Sequence, residues 1–575
     1  MVLLTGPTGT SAQRVLTRIP ELLHIIFSSL DQPSHVSNAR VCSEWREAAM
    51  DYLWKEVNDL HRLFNALVPL QKTAQGEWEF SRLPETADWN AFERYTRRVR
   101  SLAYHTDKAK NPLRQSVFDD VARTRTTLAI LPNMLKLDWN ADFSICVLFM
   151  TPIVKHFILN VPPGRLPEAN TPRAFFTDIG ARMPNITYVD FRSLVPINRM
   201  ESELIELFES LPKLQKLTLP RFFFTTRLAE SLSQHKELGT IEFQYDDEQG
   251  YGDPQDTAVF TPNFVEGAFP ALWDLSMTIR FKDAARFLDV PFAPTNLTVL
   301  YLDSEEIETP QNIYTILKTV SENCVLLKAL TLVSLRDPDP DSEEQEQRRI
   351  TMDDLRPLLR CPNLTSLELV HQYPLDIYQD DVASLAASWP SLENLLLNNE
   401  PVTMNKSTLT LRALLPFARH CPKLHSLGLF IDASAEILPS EYIPDSVSVL
   451  TQHPPFESLR KLSMGVSIIE EAGPVALSLS HIVPLSCKID SGITWEESPH
   501  AASEVTRIIN MRCTLWDEVG QLLPLLTRLR TEERKKTEAL QREVEDLRMR
   551  SRVMMDKLKK SGKDGGEASD ACIAL

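Results

Sequence analysis

The residues of this chain best suited to chemistry are eight cysteines and twelve histidines, and their spacing decides what they can do. His420 and Cys421 are adjacent in "HCPKL", but no C-x-x-C or H-x-x-x-H partner accompanies them, so no metal site is expected there. Neither G-x-S-x-G nor H-E-x-x-H occurs, which argues against nucleophile-elbow hydrolases and zinc proteases. "TGPTGTS" near the start has the glycines of a phosphate loop without the lysine that must come after them. The last four residues, "CIAL", fit the C-a-a-X pattern and make Cys572 a candidate for prenylation, the terminal Leu favouring geranylgeranyl. One such chain, with Lys557, Lys559, Lys560 and Lys563 upstream, would hold a membrane only marginally and reversibly. No cofactor is indicated, and the chain reads as a non-enzyme.

Bulk properties narrow the remaining classes. A net charge of −17 argues against nucleic acid as a partner, because phosphate contacts need clustered Lys and Arg. No apolar run approaches the length of a membrane span, and the start lacks the basic and apolar regions of a signal peptide. Scattered cysteines fit a reducing compartment, so the expected location is cytoplasmic or nuclear, with peripheral membrane attachment only if Cys572 is modified. At 575 residues the chain is too long for one compact core.

The elements that position everything else come from a repeat. "LPKLQKLTLP" recurs as "CPNLTSLELV", "WPSLENLLLN", "CPKLHSLGLF" and "MPNITYVDFR". Aligned on the first apolar residue of L-x-x-L-x-L, the anchors are Met134, Ile186, Leu214, Leu238, Leu272, Leu297, Leu327, Leu364, Leu392, Leu424 and Leu459, at intervals of 24 to 52 residues. L-x-L is a short strand whose alternate side chains enter a core. The segments before it have helical spacing, as in Leu204, Leu207, Phe208, Leu211 and in Val382, Leu385, Ala386, Trp389. One helix-strand unit cannot bury its apolar face alone, so the units must stack into an α/β solenoid with strands on the concave side. The arrangement resembles irregular leucine-rich repeats of the ribonuclease-inhibitor-like kind. Cys324, Cys361 and Cys421 fall three residues before anchors, where other units hold Leu, Phe or Trp, and read as buried thiols.

Ahead of the repeats, "VLTRIPELLHIIFSSLDQPSHVSNARVCSEWREAAMDYLWKEV" carries more apolar surface than about forty residues can cover. Leu22, Leu23, Ile25, Ile26, Phe27 and Leu30 form a wide apolar helix; a second helix is expected to reach Val41 and Cys42, and a third to carry Trp45. The surplus must face the repeats, as a solenoid cap, or face another protein.

This segment resembles an F-box, a three-helix module that docks on the Skp adaptor of Skp–cullin–F-box ubiquitin ligases. The resemblance rests on Ile19-Pro20-Glu21-Leu22-Leu23, Ile26-Phe27, Leu30, Val41-Cys42, Trp45-Arg46 and Leu53-Trp54-Lys55. Pro20 and Glu21 are adjacent where many members have one residue between them, and Asp31–Ala39 lacks a clear acidic-leucine pair. The F-box and irregular repeats together resemble large F-box families of mushroom-forming fungi. The resemblance implies that Ile19, Pro20, Leu22, Leu23, Ile26, Leu30, Val41, Trp45 and Trp54 bind the adaptor, and through it cullin. Within that set Trp45 would support the binding face, and Trp54 would lock the module to the linker. It also implies that the repeats hold a substrate protein whose ubiquitination is catalysed elsewhere. A non-degradative scaffold, membrane-associated through a prenylated C-terminus, is the alternative.

Residues flanking the inward leucines should line the concave face. They are charged or polar early (Lys136, Asp138, Tyr188, Asp190, Arg192, Glu242, Asp274, Asp303) and apolar late, where Val333, Val370, Leu396 and Phe430 become candidate substrate contacts. The other reading turns those late residues inward. Two acidic loops, Tyr245–Asp256 and Arg336–Arg349, read as solvated. Residues 530–560 place Leu540, Val544, Leu547, Met554 and Leu558 at heptad positions, with Ser551 between them. That pattern suits either self-association in a short coiled coil or a solvated single helix. The expected organisation is a disordered start (1–13), the F-box (14–58), a helical linker (59–98), the repeat solenoid (99–490), the C-terminal helix (500–561) and a flexible tail (562–575).

Overall fold

The computed structural model describes residues 20–161, 172–246, 248–335, 349–403, 406–434, 456–495 and 503–561. The start of the chain, Ile19, almost all of the second acidic loop, and the tail with Cys572 lie outside them, as does the side chain of Pro20. The chain forms two compact units, Met1–Ser334 and Leu335–Leu575.

The first unit opens with three short helices: α1 (Pro20–Ser28), α2 (Gln32–Asn38) and α3 (Ser43–Leu53). A parallel sheet then runs through β1 (Glu56–Val57), β4 (Ser101–His105), β5 (Lys136–Asn140), β6 (His156–Val161), β7 (Tyr188–Ser193), β8 (Lys216–Leu219), β9 (Thr240–Phe243), β10 (Asp274–Thr278), β11 (Val299–Ser304) and β12 (Ala329–Ser334). Residues 59–98, expected as helices alone, also hold an antiparallel hairpin of β2 (Leu70–Lys72) and β3 (Trp78–Phe80), turned by Gly76 at φ +90°. The hairpin sits between helices α4 (Leu60–Asn65) and α5 (Thr86–Thr96).

Every one of the eleven anchors lies two residues before a strand, and each is at most 2% exposed. The register repeats without slippage, so Leu102, Leu137, Phe157, Val189, Leu217, Ile241, Leu275, Leu300 and Leu330 stand side by side, one per strand. All nine are buried, and burying a side chain of this size contributes about 1.5–3 kcal/mol. Sequence alignment misses β6, whose pattern is Val154-x-x-Phe157-x-Leu159 and so lacks leucine at two of its three apolar positions. The helical spacings also hold: Leu204, Leu207 and Phe208 are buried on helix Glu201–Glu209, and Val382, Leu385 and Ala386 on helix Gln379–Ser388. Cys324, Cys361 and Cys421 are buried thiols, with burial pushing Cys421 up to about 12.

The second unit repeats the plan with parallel strands β13 (Ser366–His371), β14 (Asn394–Leu397), β15 (Ser426–Leu429), β16 (Lys461–Gly465) and β17 (Lys488–Ser491). It ends in a 59-residue helix, Ser503–Ser561. The first half packs on β17 and on helix Ala472–Leu479. It buries Ile509, Trp516, Val519 and Leu523, and the Trp516 indole donates to the Ser467 carbonyl at 2.9 Å. From Thr531 to Lys557 every described side chain is exposed. The fold is therefore an N-terminal helical module, stacked helix-strand repeats with parallel strands, and a long C-terminal helix.

Candidate functional site

The module is built around few residues. Pro20 opens α1, where its missing N–H costs nothing. Asp31 caps α2 by accepting from the Ser34 N–H at 3.1 Å, and hydrogen bonds from Ser34 hold its carboxyl below the usual range. Leu23, Phe27, Ala48 and Ala49 make the core. Trp45 meets Phe27 edge-on at 5.5 Å, His35 stacks on Tyr52 at 5.0 Å, and the Tyr52 hydroxyl donates to the His24 carbonyl at 2.7 Å. Aromatic pairs of this geometry are worth about 0.5–1.5 kcal/mol beyond area alone. The second helix ends at Asn38, short of Val41 and Cys42, and Cys42 instead precedes α3.

What the core leaves out is the informative part. Ile25, Ile26, Leu30, Val36 and Val41 are 37–67% exposed, five large apolar side chains between positions 25 and 41. Isolated exposed apolar residues are ordinary, whereas this density on so short a segment is apolar surface that the module's own core does not use. Of the expected adaptor contacts, Ile26, Leu30 and Val41 are exposed, and Leu22 and Trp45 are half-buried. Leu23 and Trp54 require correction as contacts. Leu23 is 3% exposed in the module core, and Trp54 is 8% exposed, its ring 4.8 Å from that of Tyr95 with the Arg62 guanidinium 4.7 Å above it. Trp54 thus joins the module to the linker helices α4 and α5, the locking place expected of it. Ile25 and Val36 are exposed residues absent from the expected set. Ile25 could have been found from its place beside Ile26, whereas nothing local distinguishes Val36.

On the first unit, the strand residues pointing away from the apolar core carry linked polar groups. His105 lies 2.9 Å from Asp138; His156 stacks on Tyr188 at 4.0 Å; Lys216 pairs with Glu242 at 2.9 Å and lies over the Tyr188 ring. Burial, then Glu242, pushes Asp274 up to about 6. The acidic loop Tyr245–Asp256 exposes Asp246, Glu248 and Asp253 to solvent, as expected, and is anchored at Gln249. Gln249 is fully buried and its amide donates to the Phe191 carbonyl at 2.7 Å, and Glu248 reaches both Lys108 and Arg192. Tyr245 and Tyr251 flank the Arg221 guanidinium, which also pairs with buried Asp303. Burial outweighs that pairing and raises the Asp303 carboxyl.

Of the expected substrate contacts, Val333, Val370 and Leu396 are half-buried strand residues. Phe430 requires correction. It is 5% exposed in a cluster with Val466 and Ile509, because the C-terminal helix and Trp495 pack over it. Among the described residues no group of three or more His, Cys, Asp or Glu could hold a metal ion, and no helix is long and apolar enough to cross a membrane.

Residues 20–59 match the F-box-like family. Solved structures that resemble the chain include one titled as a TLR13–ssRNA13 complex, at 14% identity over 71% of this chain and 56% of that one, with a TM-score of 0.34. Others are the leucine-rich repeat-containing protein LegL7 from Legionella pneumophila (11% identity, 66% and 97% covered, TM-score 0.29) and the Rad7 and Elc1 complex in yeast (14%, 81% and 96%, TM-score 0.33). No curated protein matches. The chain carries an F-box-like domain ahead of a leucine-rich type of repeat array.

Proposed function

We propose that this protein is the substrate-recognition subunit of a Skp–cullin–F-box ubiquitin ligase of the kind found in fungi, working in the cytoplasm or nucleus. F-box domains generally mediate adaptor binding in such complexes. The observation that carries the reading is the exposure of five large apolar residues, Ile25, Ile26, Leu30, Val36 and Val41, on the segment that matches the F-box-like family. The adaptor covers these residues, while the repeats hold a substrate protein, with Val333, Val370 and Leu396 among the contacts. The chain contributes no catalytic group. It raises the local concentration of a substrate lysine near the conjugating enzyme. Co-expression with a Skp adaptor tests this directly: a stoichiometric complex is expected, and a chain that purifies alone and soluble would refute it.

The exposed half of the C-terminal helix pairs with a second copy. Leu540, Leu547 and Met554 take d positions, with Val544, Ser551 and Leu558 at a. Val at a with Leu at d favours two parallel strands, and Glu543 at g then faces Arg548 at e of the other copy. Sedimentation velocity should show a dimer that Leu547→Glu converts to monomer.

A further inference from the structure

A cleft of about 620 Å³ lies where the N-terminal module meets the first repeat strands. Its walls include His24 of α1, Asp51 of α3, Lys55 just past it, and Arg97, Arg98 and Arg100 leading into β4. In a chain of net charge −17 this cleft is positive: four Lys and Arg side chains against one carboxylate. Asp51 is already engaged, together with Glu47, by Arg98. Among the described residues no carboxylate lies within ion-pair distance of Lys55, Arg97 or Arg100.

These cations are held by backbone, not by mutual attraction. The Lys55 carbonyl accepts from the N–H groups of Arg100 and Ser101 at 2.8 and 3.0 Å. The Arg100 carbonyl accepts in turn from Leu135 and Lys136. The Asn133 amide donates to the Arg97 carbonyl at 2.7 Å. Sheet pairing and the Asn133 bond thus bring three like charges to one cleft, with no carboxylate paired to them among the described residues. The Arg100 guanidinium donates to the Arg97 and Val99 carbonyls at 2.8 and 3.2 Å and keeps its other N–H groups for an anion. Guanidinium forks match phosphate oxygens, and the cleft is open to solvent.

We infer that this cleft binds a small soluble polyphosphate, held by Lys55, Arg97 and Arg100. Contacts to all three would tie the module exit to the first repeat. The same chemistry could be supplied by a nucleotide or by an inositol polyphosphate.

The test is calorimetric titration of the full chain with sodium tripolyphosphate, with sulfate at equal ionic strength as reference. Binding in the micromolar range is expected, and the Lys55→Glu/Arg97→Glu variant, altering two exposed side chains, should lose about tenfold or more. A thermal melt of the variant alone, matching wild type, separates lost binding from lost folding. Competition with ATP and with inositol hexakisphosphate then identifies the source. Tripolyphosphate heats no larger than those of sulfate would overturn the inference, as would undiminished binding by a folded variant.

Discussion

The two helical ends of this chain hold similar apolar residues and use them in opposite ways. The C-terminal helix turns Ile509, Trp516, Val519 and Leu523 onto its own unit, none more than 4% exposed, and closes the edge at β17. The N-terminal module leaves Ile25, Ile26, Leu30, Val36 and Val41 at 37–67% exposure. A solenoid needs its ends covered, and the contrast separates a segment that serves as a cap from one whose apolar surface is spare. Burial distinguishes the two where composition does not.

The largest effect should come from breaking the cap. Trp516→Ala removes a fully buried indole and its hydrogen bond to Ser467, and is expected to cost about 3–5 kcal/mol. A thermal melt should show the loss, while adaptor binding stays intact. Phe27→Ala opens the core of the small module instead. Amide exchange should then rise across α1–α3, adaptor binding should fail, and the repeats should melt as before. A smaller effect is expected on the free half of the C-terminal helix. Leu547→Glu should abolish the dimer in sedimentation with almost no change in the melting of the monomer, because that side chain is 55% exposed.

One effect is confined to acid conditions. Burial, with Lys136 adding to it, lowers His156 from 6.5 to about 4. The unfolded chain therefore takes up a proton near pH 6.5 that the folded chain refuses until about 4, and stability falls as pH drops through that window. His156→Gln should flatten this part of the melting-temperature profile and leave pH 8 unchanged.

The strands are legible because each repeat places Leu, Ile or Met at one fixed distance from a strand. Where Val154 and Phe157 replace leucine, β6 disappears from the pattern although it packs equally well. The acidic residues of the loop Tyr245–Asp256 read rightly as solvent-facing, but its anchors Gln249, Tyr245 and Tyr251 are not legible, because they reach partners far away in sequence. Phe430 is misjudged for a related reason: the helix that covers it begins over seventy residues later, at Ser503. In the module, types and spacing reveal the apolar surplus. They do not say that Leu23 and Trp54 face inward while Ile25 and Val36 face out.

The central claim is that the apolar surface of the module is spare to the fold and needed by the partner. Ile26→Ala/Leu30→Ala/Val41→Ala tests both halves in one sample, by melting temperature and by titration with purified Skp adaptor. The account predicts an unchanged melt, each exposed site contributing within about 0.5 kcal/mol, and adaptor affinity reduced about a hundredfold or more. A lowered melting temperature with adaptor affinity retained would contradict it, and would make these helices a cap like the one at the other end.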